Sequence, residues 1–366
     1  MKIIHCADVH LDSALSANLT GKQRKQRKSE VTQTFLRMID YAQEQDVRAI
    51  IIAGDLFDSR HVTKTTQNLL LDAVQRHPKI TFFYLRGNHD EASELADDMP
   101  ENWKVFGDSW TSYTLEEENV QIVITGAQMN ADNSARLHQS LVLDNRAINI
   151  VTMHGQEVGY VGKDKTECVQ LQALKDKGID YLALGHIHAY KRERLDSRGS
   201  YVYCGCLDPR GFDECGEHGF VLLDIDVNRR AITDTFIPFA SRLYYELAVD
   251  ISGCETTPQV QSCIEKALQE RNISSDSLVK LVLCGQVSVD GERNPEWLCE
   301  QFESRFFFLK IKDETKLAVD YAAFALDASL KGEFVRTVQA DTTLDEEMKL
   351  QIIRMGILAL AGEEFV

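Results

Sequence analysis

No apolar run in this 366-residue chain approaches the roughly 18 to 20 residues that a membrane-spanning helix needs. The opening apolar stretch is short and is broken by His5 and Asp8, so a signal peptide is not expected there and a cytoplasmic protein is. No C-x-x-C pair occurs, and the nine cysteines are odd in number, which argues against a structural zinc site and against a disulfide framework. Cys204 and Cys206 are the closest pair, and both a soft-metal site and plain buried thiols remain open for them. Positive charge is also scarce. Forty Lys and Arg face 57 Asp and Glu, a net charge of −17, which argues against capture of nucleic acid by overall electrostatics. Neither an internal repeat nor a low-complexity tract is present. With 44% hydrophobic and 27% charged residues, the composition is that of a globular protein of two or three domains.

What the sequence does contain is a series of metal-ligand side chains, each placed just after a run of strand-forming residues. Asp8-Val9-His10 follows Lys2–Cys6, Gly54-Asp55 follows Ala49–Ala53, and Gly87-Asn88-His89-Asp90 follows Thr81–Leu85. His154-Gly155 closes the run Ile148–Met153, and Gly185-His186-Ile187-His188 follows Tyr181–Leu184. Short β-branched or aromatic runs read as buried strands, so every ligand is expected at the C-terminal end of one. Loops at that edge of an α/β sheet are where sites gather, and the spacing predicts one common rim. Carboxylate, amide oxygen and imidazole suit manganese, iron or zinc. A carboxylate shared between two ions holds them about 3.5 to 4 Å apart, as in two-metal phosphoryl-transfer sites. Asp55 is the candidate for that bridge. A single such histidine would read as a surface or core residue; five segments in order point to a two-metal phosphoesterase.

This series resembles the calcineurin-like metallophosphoesterase superfamily. Within it, the opening Ile4-His5-Cys6-Ala7-Asp8-Val9-His10-Leu11 is similar to the SbcD group of DNA-repair nuclease subunits, and so is Tyr203-Cys204-Gly205 followed by Gly211-Phe212-Asp213-Glu214-Cys215-Gly216. The likeness covers roughly residues 1 to 240. It implies two divalent ions, Mn2+ first with Mg2+ or Fe2+ as alternatives. One would be held by Asp8, His10, Asp55 and His188, and the other by Asp55, Asn88, His154 and His186. It also implies that His89 binds no metal, stabilises the scissile phosphodiester and protonates the departing sugar oxygen, while an activated water attacks. An imidazole with an ordinary pKa of about 6.5 suits that proton transfer. Asp58, three residues after Asp55, is expected to orient His89, with an ordinary capping role as the alternative. Asp90 is expected to support the loop through backbone hydrogen bonds without entering the chemistry.

The dense run Lys22, Arg24, Lys25, Arg27 and Lys28 precedes a predicted helix and is a candidate guide for a phosphate backbone; a solvated helix-entry face is the competing reading. Helical spacing of Val31, Phe35, Met38, Ile39 and Ala42, and of Leu69, Leu70, Ala73 and Val74, places helices between the first three strands. Strands near Gln121–Thr125 and Gly219–Asp226 lack long intervening helices, so part of the sheet is expected to be antiparallel. The expected fold is α/β: a two-sheet metallophosphoesterase sandwich flanked by helices over residues 1–240, a smaller α/β capping domain over 241–320, and a helical tail over 321–366. The small domain is read from Tyr244 to Ile251, a helix over Pro258–Arg271, a strand from Leu278 to Val289, a helix beginning near Pro295 and a strand over Phe306–Ile311. In the tail, Leu350, Ile353, Met355, Ile357, Leu358 and Leu360 form an expected apolar face.

The resemblance implies partners as well: DNA, and an SMC-like ATPase subunit of the SbcC type docked through the tail helices. A homodimer stays open, and no membrane partner is expected. Three functions are therefore carried forward. The first is a metal-dependent DNA nuclease subunit in end processing and repair. The second is a phosphodiesterase or phosphatase for small nucleotides, and the third a non-catalytic scaffold, against which the complete ligand set speaks.

Overall fold

The computed structural model describes the whole chain except residues 14, 16–18, 59–61, 91–98, 159–167, 289–290, 319–320 and 362–366. It divides into two compact units, Met1–Leu243 and Tyr244–Val366. In the first, β1 (Lys2–Cys6), α1 (Gly21–Glu44), β2 (Val47–Ala53), α2 (Lys64–Arg76) and β3 (Thr81–Leu85) alternate as strand and helix crossovers, and β4 (Trp103–Val105) is the next described element. Then follow β5 (Thr111–Glu117), β6 (Val120–Gly126), α3 (Ser134–Ser140), β7 (Ile148–His154), β8 (Gln156–Glu157), β9 (Cys168–Val169), α4 (Leu171–Leu174), β10 (Tyr181–Gly185), β11 (Lys191–Arg194), β12 (Ser200–Tyr203), β13 (Gly219–Asp226) and β14 (Ala231–Pro238).

Two six-stranded sheets result, in the orders β14-β13-β1-β2-β3-β4 and β11-β12-β10-β7-β6-β5. Their central strands are parallel, and the strands at one or both ends are antiparallel. Parallel strands covered on both faces read as continuous apolar runs, and Ile50, Ile51 and Ile52 are all fully buried. Alternate residues face opposite sides: Ile50 and Ile52 pack under α1 and α2, whereas Ala49 and Ile51 join Ile150, Ala183 and Val221 between the sheets.

The start of α1 corrects the reading of the basic run. Thr20 caps the helix in a reciprocal box with Gln23, so Lys22 to Lys28 form its first two turns and do not precede it. Lys22, Arg24, Lys25 and Lys28 are exposed. Arg27 is not. It is completely buried on the core-facing stripe with Val31, Phe35 and Met38, and its guanidinium donates to Asp208 at 2.5 Å, Glu30 at 2.8 Å and Ser241 Oγ at 3.0 Å. Arg27 is therefore a structural ion-pair residue and cannot reach a phosphate backbone.

The second unit runs β15 (Tyr244–Asp250), α5 (Thr257–Gln269), β16 (Leu278–Cys284), β17 (Gln286–Ser288), α6 (Pro295–Phe302), β18 (Phe308–Asp313), β19 (Lys316–Ala318), α7 (Tyr321–Leu326), α8 (Leu330–Ala340) and α9 (Glu346–Ala361). Its β-α-β-α-β order builds a three-stranded parallel sheet β15-β16-β18. The strand expected over Leu278–Val289 is broken at Gly285, whose φ of +101° turns the chain so that β17 pairs with β19 instead; Val289 lies outside the described residues. The tail expected as a separate segment falls within this second unit. Its apolar face is split: Ile353 and Ile357 pack on Val335 and Val338, while Met355 and Leu360 are exposed. The side chain of Leu358 and residues 362–366 lie outside what the structure describes. Among the described residues no helix is long and apolar enough to cross a membrane.

Candidate metal centre

All five segments converge on the rim formed by the C-terminal ends of β1, β2, β3, β7 and β10, so both sheets contribute. Backbone bonds tie the first two loops together, with Asp8 N donating to Gly54 O and His10 N to Asp55 O, each at 3.0 Å. The turn after each strand is sharp. Asp8, His10 and Asp55 each have φ of 50° and His186 of 94°, conformations that non-glycine residues seldom adopt and that cost of order 1–3 kcal/mol apiece. Their clustering on ligand positions marks a site whose surroundings hold the side chains in place. Glycine is required beside them. A Cβ on Gly54 would stand 2.0 Å from His154 Nδ1, and one on Gly87 2.2 Å from Asp55 Oδ1.

The seven expected ligands are brought together. Asp55 Oδ2 lies 3.4 Å from His154 Nε2 and 3.9 Å from His10 Nε2, between the two groups it was expected to bridge. Asn88 Oδ1 lies 3.1 Å from His154 Nε2 and 3.3 Å from His186 Nδ1. His188 Nε2 is 3.2 Å from His10 Nε2 and 3.9 Å from Asp8 Oδ1, and Asp8 also accepts the His186 backbone N–H.

Tautomers can be argued from the partners of the other ring nitrogens. His154 Nδ1 faces Ala53 O at 2.9 Å, His188 Nδ1 faces Glu214 Oε1 at 2.6 Å, and His10 Nδ1 lies 3.3 Å from Asp58 Oδ1. With Nδ1 protonated toward an oxygen, each Nε2 carries a lone pair aimed into the cluster. Burial pushes His10 and His186 toward the neutral form, and for His186 the neighbouring His154 adds to this. Burial opposes the charge on Asp55, yet His154, His10 and the His89 N–H outweigh it and hold the carboxylate ionised. Two bare imidazole nitrogens 3.2 Å apart beside carboxylates repel unless a proton or cation lies between them. Mixed nitrogen and oxygen donors with lone pairs converging in this way fit divalent cations. Among the described residues, two groups with metal-holding spacing, Asp8-His10-His188 and Asp8-Asp55-His154, are made of expected ligands alone, and two more, His10-Asp58-His89 and His188-Cys206-Glu214, extend from the same cluster.

His89 packs edge-on against the His10 ring, with centroids 5.1 Å apart, at the outer side of the cluster. It is half-exposed at the rim, and its Nδ1 lies 3.1 Å from Asp58 Oδ1. That hydrogen bond, more than the opposing burial, raises its pKa. Asp90 does not enter the cluster; its carboxylate accepts the N–H groups of Leu56, Phe57 and Gly87 at 3.1, 2.8 and 3.1 Å. It thus fastens the Asp55 loop to the Asn88 loop.

Two residues without an assigned role belong to the site. Glu214 supports His188, and Arg210 links Glu214 to Asp58, 3.2 Å from Oε1 of the one and Oδ1 of the other. Burial works against the Glu214 charge, but His188 and Arg210 overcome it and hold its pKa at about 2. The Gly211–Gly216 segment had signalled this stretch as part of the domain, without pointing to a job for either side chain.

The calcineurin-like phosphoesterase family model matches residues 1–190, and the chain belongs to that family. Its members hydrolyse phosphoester bonds and bind divalent metals. The chain is 27% identical over 315 residues to YhaO of Bacillus subtilis, described as an uncharacterized metallophosphoesterase, covering 82% of this chain and 74% of that protein. It is 28% identical over 256 residues to the DNA double-strand break repair protein Mre11 of Methanopyrus kandleri, covering 62% of this chain and 54% of that protein. It is 24% identical over 273 residues to a subunit of the SbcCD nuclease of Staphylococcus epidermidis, covering 65% of this chain and 69% of that protein.

Proposed function

We propose that this protein is a metal-dependent nuclease subunit that hydrolyses phosphodiester bonds in DNA. The observation carrying the reading is the convergence of Asp8, His10, Asp55, Asn88, His154, His186 and His188 into one cluster, with His89 held by Asp58 at its mouth. Asp8, His10, Asp55 and His188 would hold one divalent ion, most simply Mn2+, and Asp55, Asn88, His154 and His186 the other. When bound, the ions lower the pKa of water and neutralise phosphate charge. The chain supplies the rest. Asp58 keeps Nδ1 of His89 protonated and its ring oriented, so Nε2 is presented to the substrate side, where it stabilises the phosphate and donates a proton to the leaving sugar oxygen. DNA as substrate is supported by the likeness to the DNA double-strand break repair protein Mre11 and to a subunit of the SbcCD nuclease.

Partnership with an SMC-like ATPase is supported by the likeness to an SbcCD subunit and by exposed Met348, Met355 and Leu360 on α9. Deleting residues 341–366 should abolish binding of such a subunit; unchanged affinity removes the docking assignment. The main test gives purified protein with manganese a linear duplex, a hairpin and bis(4-nitrophenyl) phosphate, beside Asp55→Asn and His89→Asn. Cleavage of DNA by the wild type and loss in both variants is expected. If DNA stays intact while the small ester is cleaved, the protein is the alternative, a small-nucleotide phosphodiesterase.

A further inference from the structure

A cavity of about 420 Å³ opens between β11 and β14, the edge strands of the two sheets on the same side of the sandwich. Four arginines line it, Arg192, Arg194, Arg198 and Arg230, against one carboxylate, Asp180. In a chain of net charge −17 such a concentration is unexpected. It arises from strand geometry. Alternate residues of β11 face opposite sides, so Arg192 and Arg194 share the cavity side while Lys191 and Glu193 pair with each other on the other. Arg198 enters from the β11–β12 turn and Arg230 from the turn leading into β14.

The charges there are not cancelled equally. Arg192 pairs with Asp234 and Arg198 with Asp180. Arg194 and Arg230 instead donate to main-chain carbonyls, Arg194 to Asp196 and Ser197, Arg230 to Arg146 and Ala147. Carbonyl partners hold a guanidinium in place without neutralising it, and each retains N–H donors for a further acceptor. Nearby Asp196 accepts the backbone N–H groups of Asp176, Arg198 and Gly199, which hold its carboxylate in the β11–β12 turn with its charge intact. All four arginines are exposed. An oriented, unneutralised guanidinium pair in a concave surface matches phosphate oxygens.

Asp180 immediately precedes β10 and His186 immediately follows it, so the cavity and the metal rim lie toward opposite ends of this five-residue strand, at least roughly 17 Å apart. A duplex reaching both would span at least about five base steps between them. We infer that the arginine-lined cavity between β11 and β14 binds the phosphodiester backbone of nucleic acid, positioning a polymer whose scissile bond lies at the metal centre. This rests on the nucleic-acid reading above. It also supplies a local positive surface that the exposed part of the α1 run does not have to provide alone.

Arg194→Ala/Arg230→Ala in the full chain leaves no carboxylate unpaired. Binding of a fluorescent phosphorothioate duplex, in manganese and between 50 and 200 mM salt, should weaken about tenfold, with the salt slope reduced by roughly 2. Hydrolysis of bis(4-nitrophenyl) phosphate should be unchanged. Unaltered duplex affinity and slope would overturn the site, even if wild-type DNA cleavage upholds the nuclease reading. Displacement of the duplex by a mononucleotide of equal affinity would overturn the polymer assignment. Wild-type protein that binds the duplex through these arginines yet never cuts DNA would overturn the nuclease reading alone.

Discussion

Asp58 Oδ1 lies 3.1 Å from Nδ1 of His89 and 3.3 Å from Nδ1 of His10, so one carboxylate orients both the proposed acid and a proposed metal ligand. Ser13 Oγ donates to its second oxygen at 2.8 Å and Arg210 lies 3.2 Å from the first. Burial alone would raise the Asp58 pKa, but these hydrogen bonds overwhelm it and keep the group ionised. Asp58→Asn should lower the hydrolytic rate by about 10–100-fold, the usual loss when such a supporting partner is removed. Since Asp58 and His89 act as one unit, adding His89→Gln to that variant should cost far less than the product of the single effects. A double-mutant cycle on kcat that multiplied independently would refute the shared role.

Glu214 bears on metal affinity in the same way. Its 2.6 Å contact fixes the ring of His188 with Nε2 turned inward. Glu214→Gln keeps the shape and removes the charge, and manganese affinity, read by titration calorimetry, is expected to fall about 10–100-fold. Equal affinity with a lowered melting temperature would make Glu214 structural only.

Close approach at Gly87 yields a third test. A methyl there would meet Asp55 Oδ1 at 2.2 Å and Asp55 N at 2.6 Å, both parts of a loop fastened by Asp90. Gly87→Ala should therefore displace Asp55, costing about 1–3 kcal/mol of stability and most of the metal binding. Normal metal stoichiometry in the variant would show that the loop yields without consequence.

Asp90 accepts three backbone N–H groups with its two oxygens. Burial and the charge of Asp55 push its pKa up to about 6, against those same hydrogen bonds. An asparagine must turn its amide N–H toward one of these donors, leaving a buried N–H unpaired, a loss of about 1–3 kcal/mol. Asp90→Asn is expected to unfold in urea at a correspondingly lower midpoint. An unchanged midpoint would mean that water replaces the lost acceptor.

Much of this centre was legible because each ligand directly follows a strand whose apolar run announces it, and the chain order of the runs fixes a shared edge. Glu214 was not legible as a partner of His188: the two are 26 residues apart and nothing local in either segment encodes their contact. Arg27 was misread for a different reason. A charge run looks the same whether it meets water or core, and only its spacing to Val31 and Phe35, one turn and two turns on, places it on the buried stripe. The break at Gly285 was hidden because β-forming residues flank it on both sides.

His5 gives a pH dependence well removed from hydrolysis. It lies wholly buried on β1, with Nδ1 2.9 Å from the Tyr181 hydroxyl. Burial drives its pKa down from 6.5 to about 3, and a hydrogen bond with the Leu184 backbone only partly opposes this. Between those values the unfolded chain takes up a proton that the folded protein refuses, so stability rises with pH across this window and is lost as the medium is acidified. At pH 5 the loss relative to neutral pH is about 2 kcal/mol, from roughly 1.4 kcal/mol per pH unit. The urea midpoint of the wild type should thus drop more between pH 7 and pH 5 than that of His5→Gln, whose side chain keeps a polar partner for Tyr181 without titrating. Parallel declines in the two proteins would show that His5 is not the residue through which mild acid loosens the sandwich.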